Sequence, residues 1–169
     1  GKILGPAFID VHTHGADGAD AMDISEDGLK KISKYLASEG TGNFLATTLT
    51  SSKEILKETL ETIGKLQNKD IDGANIFGVH MEGPYFSVEY KGAQNDKYMK
   101  PAGTKELEEY LNVKKDLVKL FSISPHNQEN LEAIKFLSER GVVVSVGHSA
   151  ANYEDVIKAI DYGLSHATH

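Results

Sequence analysis

The sequence contains no cysteine, which excludes disulfide bonds and thiolate metal sites. Any transition-metal site must therefore be built from histidine, aspartate and glutamate, a donor set that suits hydrolytic zinc or iron chemistry. Arginine is almost absent as well, since Arg140 is the only one, and the net charge is −7 at neutral pH. A nucleic-acid surface needs clustered basic side chains, so we expect no nucleic-acid partner and favour a small molecule.

Long apolar runs are also missing. No segment approaches the ~18 consecutive apolar residues that a membrane span requires, and the first residues lack the charged, apolar and small-residue succession of a signal peptide. We therefore expect no membrane association and a cytoplasmic location. The chain instead has 40% hydrophobic residues, enough to bury a globular core.

Short apolar runs alternate with longer segments of helical periodicity along the whole chain. No linker interrupts this alternation, so we predict a single domain over residues 1–169. Most of the runs are continuously apolar, which is typical of a parallel sheet buried on both faces. The predicted strands cover residues 7–13, 43–48, 75–82, 118–124, 142–147 and 164–168.

Helix-capping residues punctuate the segments between these strands. The candidate N-caps are Ser25, Ser52, Asn152 and either Asn127 or Asn130. The connection over residues 83–103 is different, because it is rich in Gly, Pro, Tyr and Lys and has no periodicity before a short helix near 104–111. Long loops of this kind in α/β proteins usually carry function.

Six strand-helix units fit either an open doubly wound sheet or most of a (β/α)₈ barrel, whose usual size is ~250 residues. The first strand is not followed by a G-x-G-x-x-G turn, which disfavours a dinucleotide-binding sheet. It ends instead in DVHTHG, where Asp10, His12 and His14 share one face because side chains alternate along a strand. A His-x-His pair at the end of a parallel strand favours a metal site over simple packing.

Later strands also end in potential ligands. Glu82 is the last residue of the third strand. A carboxylate at that position would be costly to bury unless it is paired or bound to metal. His80 lies on the same face one pleat deeper, where it either supports the site or only packs. The fifth strand leads to His148 and the sixth to His169. A closed barrel would bring all these strand ends to one mouth.

Two other histidines fit this pattern less well. His166 lies three residues before His169 and so faces the opposite way if the strand is regular. His126 follows the fourth strand and could line the pocket rim. We favour a solvent-facing position at the start of a helix for His126.

Four segments carry a family resemblance: PAFIDVHTHG, GVHMEGPYF followed by KGAQN, VSVGHSAANYEDV and SHATH. In order and spacing they resemble the N-acetylglucosamine-6-phosphate deacetylases of the amidohydrolase superfamily, over essentially the whole chain. The EGP turn, the K-G-A segment and the GHS strand are more specific to this family than the His-x-His strand. The resemblance implies an α/β fold, a partial (β/α)₈ TIM-like barrel with about six parallel strand-helix units.

The resemblance also implies a metal-dependent activity, the hydrolysis of the N-acetyl group of N-acetylglucosamine 6-phosphate to glucosamine 6-phosphate and acetate. It implies one or two divalent ions, with zinc or iron favoured and Glu82 placed to bridge two of them. The implied metal ligands are His12, His14, Glu82, His148 and His169.

The family's general base is an aspartate at the end of the eighth barrel strand, which we expect beyond His169. Asp10, Asp155 and Asp161 are not candidates, because they lie in the first strand or on the helix after the GHS strand. We therefore name no catalytic residue within this sequence.

The resemblance places substrate contacts at Gly92, Ala93 and Gln94, where relatives often carry a substrate-contacting histidine at the third position. Glutamine can still hydrogen-bond a sugar but cannot carry charge. We find no phosphate clamp, since Arg140 stands alone at the far end of a helix. Relatives take phosphate contacts from downstream residues and a partner subunit, which implies a homodimeric full-length protein.

The resemblance further implies a sequence truncated at both ends relative to the family, so that this part could bind metal without turning over substrate. Two alternatives remain. Another amidohydrolase or a metal phosphoesterase would replace Glu82 with a different ligand or carry a carbamylated lysine in the site. A non-catalytic metal-binding or interaction module would bind metal and remain inert.

Overall fold

The structure, a computed structural model, describes residues 4–169. Its eight strands are β1 (Phe8–Thr13), β2 (Gly15–Ala16), β3 (Ala19–Asp20), β4 (Thr41–Thr47), β5 (Asn75–Glu82), β6 (Val118–Ile123), β7 (Val143–Val146) and β8 (Leu164–Ala167). Six of them form one parallel sheet in the order β1-β4-β5-β6-β7-β8. The sheet curls into a half-barrel, which confirms the predicted fold. Residues 1–3 lie outside the described residues, and the single domain over 1–169 stays a prediction.

The helices connect successive strands of the sheet. They are α1 (Glu26–Ser38), α2 (Lys53–Leu66), α3 (Thr104–Leu111), α4 (Gln128–Ser138) and α5 (Tyr153–Asp161). Side chains at the predicted caps Ser25, Ser52 and Asn152 accept hydrogen bonds from the first turns of α1, α2 and α5. Of the two candidates for α4, Asn127 is the N-cap, because its Oδ1 accepts a 2.8 Å hydrogen bond from the backbone nitrogen of Asn130. Among residues 4–169, no helix is both long and apolar enough to cross a membrane.

The small hairpin of β2 and β3 was not predicted. Asp17 and Gly18 form its turn, with φ values of +51° and +75°, a geometry that an Asp-Gly pair adopts readily. The Asp-Gly signal is present in the sequence, but strands of two residues have no alternating pattern that could reveal them. The hairpin connects the end of β1 to the segment that leads into α1. Directly after β3, the backbone nitrogen of Ala21 donates to the carbonyl of His14.

The core lies between the sheet and its helices. Leu56, Leu60 and Ile63 of α2 are fully buried, and the sheet contributes Phe44, Ile76 and Phe121. These side chains hold the helices on the outside of the sheet and fix the direction in which each strand runs. Because all six strands are parallel, their C-terminal ends lie along one rim.

Candidate metal centre

Four histidines surround the carboxylate of Glu82 at this rim. Its Oε2 lies 3.1 Å from Nε2 of His14, and its Oε1 lies 3.2 Å from Nε2 of His148 and 3.1 Å from Nε2 of His169. Nε2 of His12 is 3.8 Å from Oε1. Glu82 is only 1% exposed. The structure thus brings together all five residues that the sequence suggested as ligands, from four different strand ends.

The ligand atoms form two groups that share Glu82. One group is His12, His14 and Glu82, and the other is Glu82, His148 and His169, with the ligand atoms of each group within 4.8 Å of one another. Imidazole nitrogen and carboxylate oxygen are ligands that zinc and iron accept. The donor set therefore fits one divalent ion in each group, with the carboxylate between them.

Two of the rings are oriented by backbone carbonyls. Nδ1 of His14 lies 3.2 Å from the carbonyl oxygen of Thr47, and Nδ1 of His148 lies 3.0 Å from that of Tyr90. A carbonyl oxygen can only accept, so each Nδ1 carries the hydrogen and donates it. Nε2 is then the atom that faces Glu82: it donates to the carboxylate when the ring is protonated, and in the neutral ring it carries the lone pair that a metal would use.

The backbone at two of these positions is unusual. His148 and His169 each follow the last residue of their strand by two positions, and their φ values are +46° and +67°. Residues other than glycine rarely adopt this left-handed region, and such conformations concentrate at functional sites. The turn after each strand directs the imidazole back over the rim toward the carboxylate.

The imidazoles around Glu82 lower the pKa of its carboxyl group. Burial raises the pKa of Glu82, but the hydrogen bond with His14 and the nearby imidazoles outweigh burial and lower the pKa to about 2. The same hydrogen bond raises the pKa of His14, whereas burial lowers that of His12. The carboxylate is therefore anionic at neutral pH. A cation bound near His14 would displace a proton, so its affinity would increase with pH.

His80 lies below the cluster and supports it. Its Nδ1 donates to the carbonyl oxygen of Val11 at 3.0 Å, and its Nε2 accepts from the hydroxyl of Ser122 at 2.7 Å. The ring is 1% exposed and contacts the ring of His12, with 4.9 Å between the centroids. Burial lowers the pKa of His80 to about 4, so the ring is neutral at pH 7. Both nitrogens are engaged, which leaves no lone pair for a metal.

The remaining sequence candidates lie outside the two ligand groups. His166 bonds through Nδ1 to the hydroxyl of Ser145 at 3.0 Å. His126 is exposed immediately before α4, as expected, and its Nδ1 bonds to the hydroxyl of Ser124 at 2.6 Å. Asp10 accepts a hydrogen bond from the backbone of its own strand. None of the three belongs to either ligand group.

The 83–103 connection contacts the cluster directly. Gly92 and Ala93 are exposed, and their predicted contact with substrate stays a prediction. Gln94 is buried instead, with its amide nitrogen on Glu82 and its amide oxygen on the backbone of Thr50. The sequence did not indicate this arrangement, because it depends on where the loop folds over β5.

No lysine described by the structure, over residues 4–169, has its ammonium within 4.0 Å of the Glu82 carboxylate; the basic groups within that distance are the four histidines. The structure therefore shows no lysine in direct contact with Glu82 among these residues.

The half-barrel and its rim of histidines around one carboxylate define a β/α-barrel protein with a candidate metal centre at the C-terminal ends of its strands. The chain belongs to the amidohydrolase family, whose model matches residues 3–169.

Individual relatives have deacetylase names. The N-acetylglucosamine-6-phosphate deacetylase of Vibrio furnissii is 34% identical over 166 residues, which cover 98% of this chain and 42% of that protein. The N-acetylgalactosamine-6-phosphate deacetylase of Escherichia coli O157:H7 is 33% identical over 168 residues, which cover 99% of this chain and 45% of that protein. The crystal structure of the N-acetyl-D-glucosamine-6-phosphate deacetylase from Mycobacterium smegmatis matches with a TM-score of 0.92 at 28% identity, over 97% of this chain and 42% of that one. The chain spans less than half the length of these relatives.

Proposed function

We propose that the protein containing this chain is a metal-dependent deacetylase. It hydrolyses the acetamido group of N-acetylglucosamine 6-phosphate and releases glucosamine 6-phosphate and acetate. The observation that carries the proposal is the buried Glu82 carboxylate with Nε2 of four histidines around it, three of them within 3.2 Å. The names of the relatives support the substrate class.

The proposed metal ligands are His12, His14, Glu82, His148 and His169, and the ions are zinc or iron. Two ligand groups that share one carboxylate favour two ions over one. When bound, the metal would polarise the amide carbonyl and lower the pKa of a water molecule.

The residues of this chain prepare the site in defined ways. Glu82 supplies a fixed negative charge, and the carbonyls of Thr47 and Tyr90 bind Nδ1 of His14 and His148, so that Nε2 of each ring faces the carboxylate. His80 stays neutral and holds the end of β1 against β6. Gly92 and Ala93 lie exposed on the loop above the rim, where they can contact a sugar. We expect the general base beyond His169.

The choice between two sugars belongs to the same proposal. An N-acetylgalactosamine-6-phosphate deacetylase is 33% identical to this chain and an N-acetylglucosamine-6-phosphate deacetylase is 34% identical, so overall similarity does not separate the two epimers. We favour the glucosamine derivative because the quoted motifs resemble that family. We also propose that the complete protein acts in the cytoplasm as a homodimer.

The test uses the complete polypeptide, freed of metal and reloaded with Zn²⁺ or Fe²⁺. We expect acetate release from N-acetylglucosamine 6-phosphate, slower release from the galactose epimer, and little from the unphosphorylated sugar. Chelation and the Glu82→Gln variant should both abolish the activity. A metal-loaded protein that releases no acetate would be a non-catalytic binding module, and release of phosphate without acetate would indicate a phosphoesterase. Light scattering measures whether it is a dimer.

A further inference from the structure

Gln94 is buried beside the metal centre and both ends of its amide are engaged. Its Nε2 donates to Oε2 of Glu82 at 2.8 Å, and its Oε1 accepts from the backbone nitrogen of Thr50 at 2.7 Å. The side chain is 4% exposed. The orientation of the amide is unambiguous, because a backbone N–H can only donate and a carboxylate can only accept.

This hydrogen bond restrains the rotation of the Glu82 carboxylate. Oε2 lies between Gln94 and His14, while Oε1 faces His148 and His169, with His12 at 3.8 Å. If the carboxylate rotated out of its plane about its terminal bond, Oε2 would lose its donor and both oxygens would move away from these imidazoles. The amide therefore fixes the plane of the carboxylate.

The support behind Gln94 is rigid. Thr50 is 5% exposed and lies three residues after the end of β4, so its N–H is held in a buried segment at the sheet rim. The backbone nitrogen of Gln94 donates to the carbonyl of Lys91 at 3.0 Å, and Tyr90 of the same segment contacts His148. A neutral amide also adds no charge that would compete with a cation. Partners of this kind orient metal ligands, and their removal commonly costs roughly 10–100-fold in affinity.

We propose that Gln94 is a positioning residue that fixes the plane of the Glu82 carboxylate, with one oxygen directed at His14 and the other at His148 and His169. The inference rests on the proposed metal-dependent function and deepens it. The expected sugar contact at Gln94 stays a separate prediction, since Nε2 has a second hydrogen.

The test replaces the amide without changing the size of the side chain greatly. Gln94→Met and Gln94→Leu both remove the donor to Glu82, and Asp96→Ala removes an ion pair with Lys91 in the same loop, away from the ligand atoms. The complete polypeptide is freed of metal and titrated with Co²⁺, whose visible absorption spectrum reports its coordination. Circular dichroism verifies that each variant is folded.

We expect both Gln94 variants to bind Co²⁺ roughly 10–100-fold more weakly with an altered spectrum, and Asp96→Ala to match the wild type in both. Wild-type affinity and spectrum in either folded Gln94 variant would overturn the positioning role. Equal losses in Asp96→Ala would overturn it too, because they would show an effect of loop order. If the wild type bound no Co²⁺, the proposed function itself would fail; if it bound Co²⁺ and released acetate, an unaffected Gln94 variant would refute only this inference.

Discussion

An imidazole can bind a metal only through a nitrogen that carries no hydrogen and points into the site. In this protein, hydrogen bonds from Nδ1 to the backbone set this orientation for His14 and His148. The carbonyls of Thr47 and Tyr90 hold Nδ1 of His14 and His148 in the protonated form. Neither contact can be recognised in the sequence, because every residue has a carbonyl. For each of these rings, a single contact with a residue distant in sequence decides that Nε2, and not Nδ1, faces Glu82.

The neutral state of His80 makes the stability of the metal-free protein depend on pH. Burial lowers the pKa of His80 from 6.5 to about 4. The unfolded chain therefore takes up a proton before the folded protein does, and the stability is complete above pH 6.5 and is lost as the pH falls through about 4. At about 1.4 kcal/mol per pH unit the loss is roughly 3 kcal/mol.

Urea unfolding in chelator at pH 7 and pH 4.5 measures this loss. The His80→Gln variant is expected to be less stable at pH 7 but to lose less between the two pH values than the wild type. Equal losses in the two proteins would contradict the assignment of His80 as a buried neutral ring.

Gly92 is a second single-residue feature, because it combines left-handed backbone with close approach to a ligand. Its φ is +57°, and a Cβ at this position would lie 3.3 Å from Cε1 of His148. We expect Gly92→Ala to destabilise the protein by about 1–2 kcal/mol and to weaken metal binding. Gly18→Ala is the matched control, since Gly18 has φ +75° but no ligand nearby. Urea unfolding and Co²⁺ titration should show a stability loss in both variants and a weaker affinity only in Gly92→Ala.

At the scale of elements, a few polar contacts hold the longest loop of the half-barrel in place. The 83–103 connection is anchored to α3 by Glu106, whose carboxylate accepts from the hydroxyls of Tyr85 and Tyr110 at 2.9 Å each. Lys100 donates to its other oxygen at 2.6 Å. These contacts hold the loop that carries Gly92 and Gln94 against α3. They therefore help to set where Gly92 and Gln94 lie relative to Glu82.

Removal of this anchor should therefore be costly. Glu106→Ala leaves two fully buried tyrosine hydroxyls without their acceptor, and we expect it to lower the free energy of unfolding by about 2–4 kcal/mol. Glu108→Ala on the exposed face of the same helix should change stability by less than about 0.5 kcal/mol. Chemical denaturation of both variants tests the difference, and similar losses would show that Glu106 has no special role.

For the whole molecule, the parallel order of the six strands brings distant residues together. His12 lies on one edge strand, β1, and His169 follows the other, β8, by two residues, yet their ring centroids lie 4.9 Å apart. The curl of the sheet closes this distance. A metal that binds here would connect the first and last strands through Glu82 on a central one.

Metal should therefore stabilise the entire fold. Zn²⁺ at about 100 times its dissociation constant is expected to raise the free energy of unfolding by about 2.7 kcal/mol, because it binds the folded state selectively. Thermal unfolding with and without Zn²⁺ measures the gain. Glu82→Gln should lose most of it, whereas the surface substitution Glu139→Gln should keep it. A full gain in Glu82→Gln would place the metal elsewhere.

The sequence by itself determined the elements and the residue types of the site. Periodicity placed all six sheet strands to within two residues, capping residues located four of the five helices, and the strand ends indicated His12, His14, Glu82, His148 and His169 as candidate ligands. It succeeded because alternation, capping and parallel burial are local consequences of side-chain chemistry.

Only the tertiary structure decided the rest. It engaged both nitrogens of His80, turned Gln94 inward onto Glu82 and directed Nε2 of His14 and His148 at that carboxylate. Each of these depends on backbone atoms or on segments 12 to 69 residues apart in sequence. Such contacts depend on the curled sheet, and no local pattern encodes them.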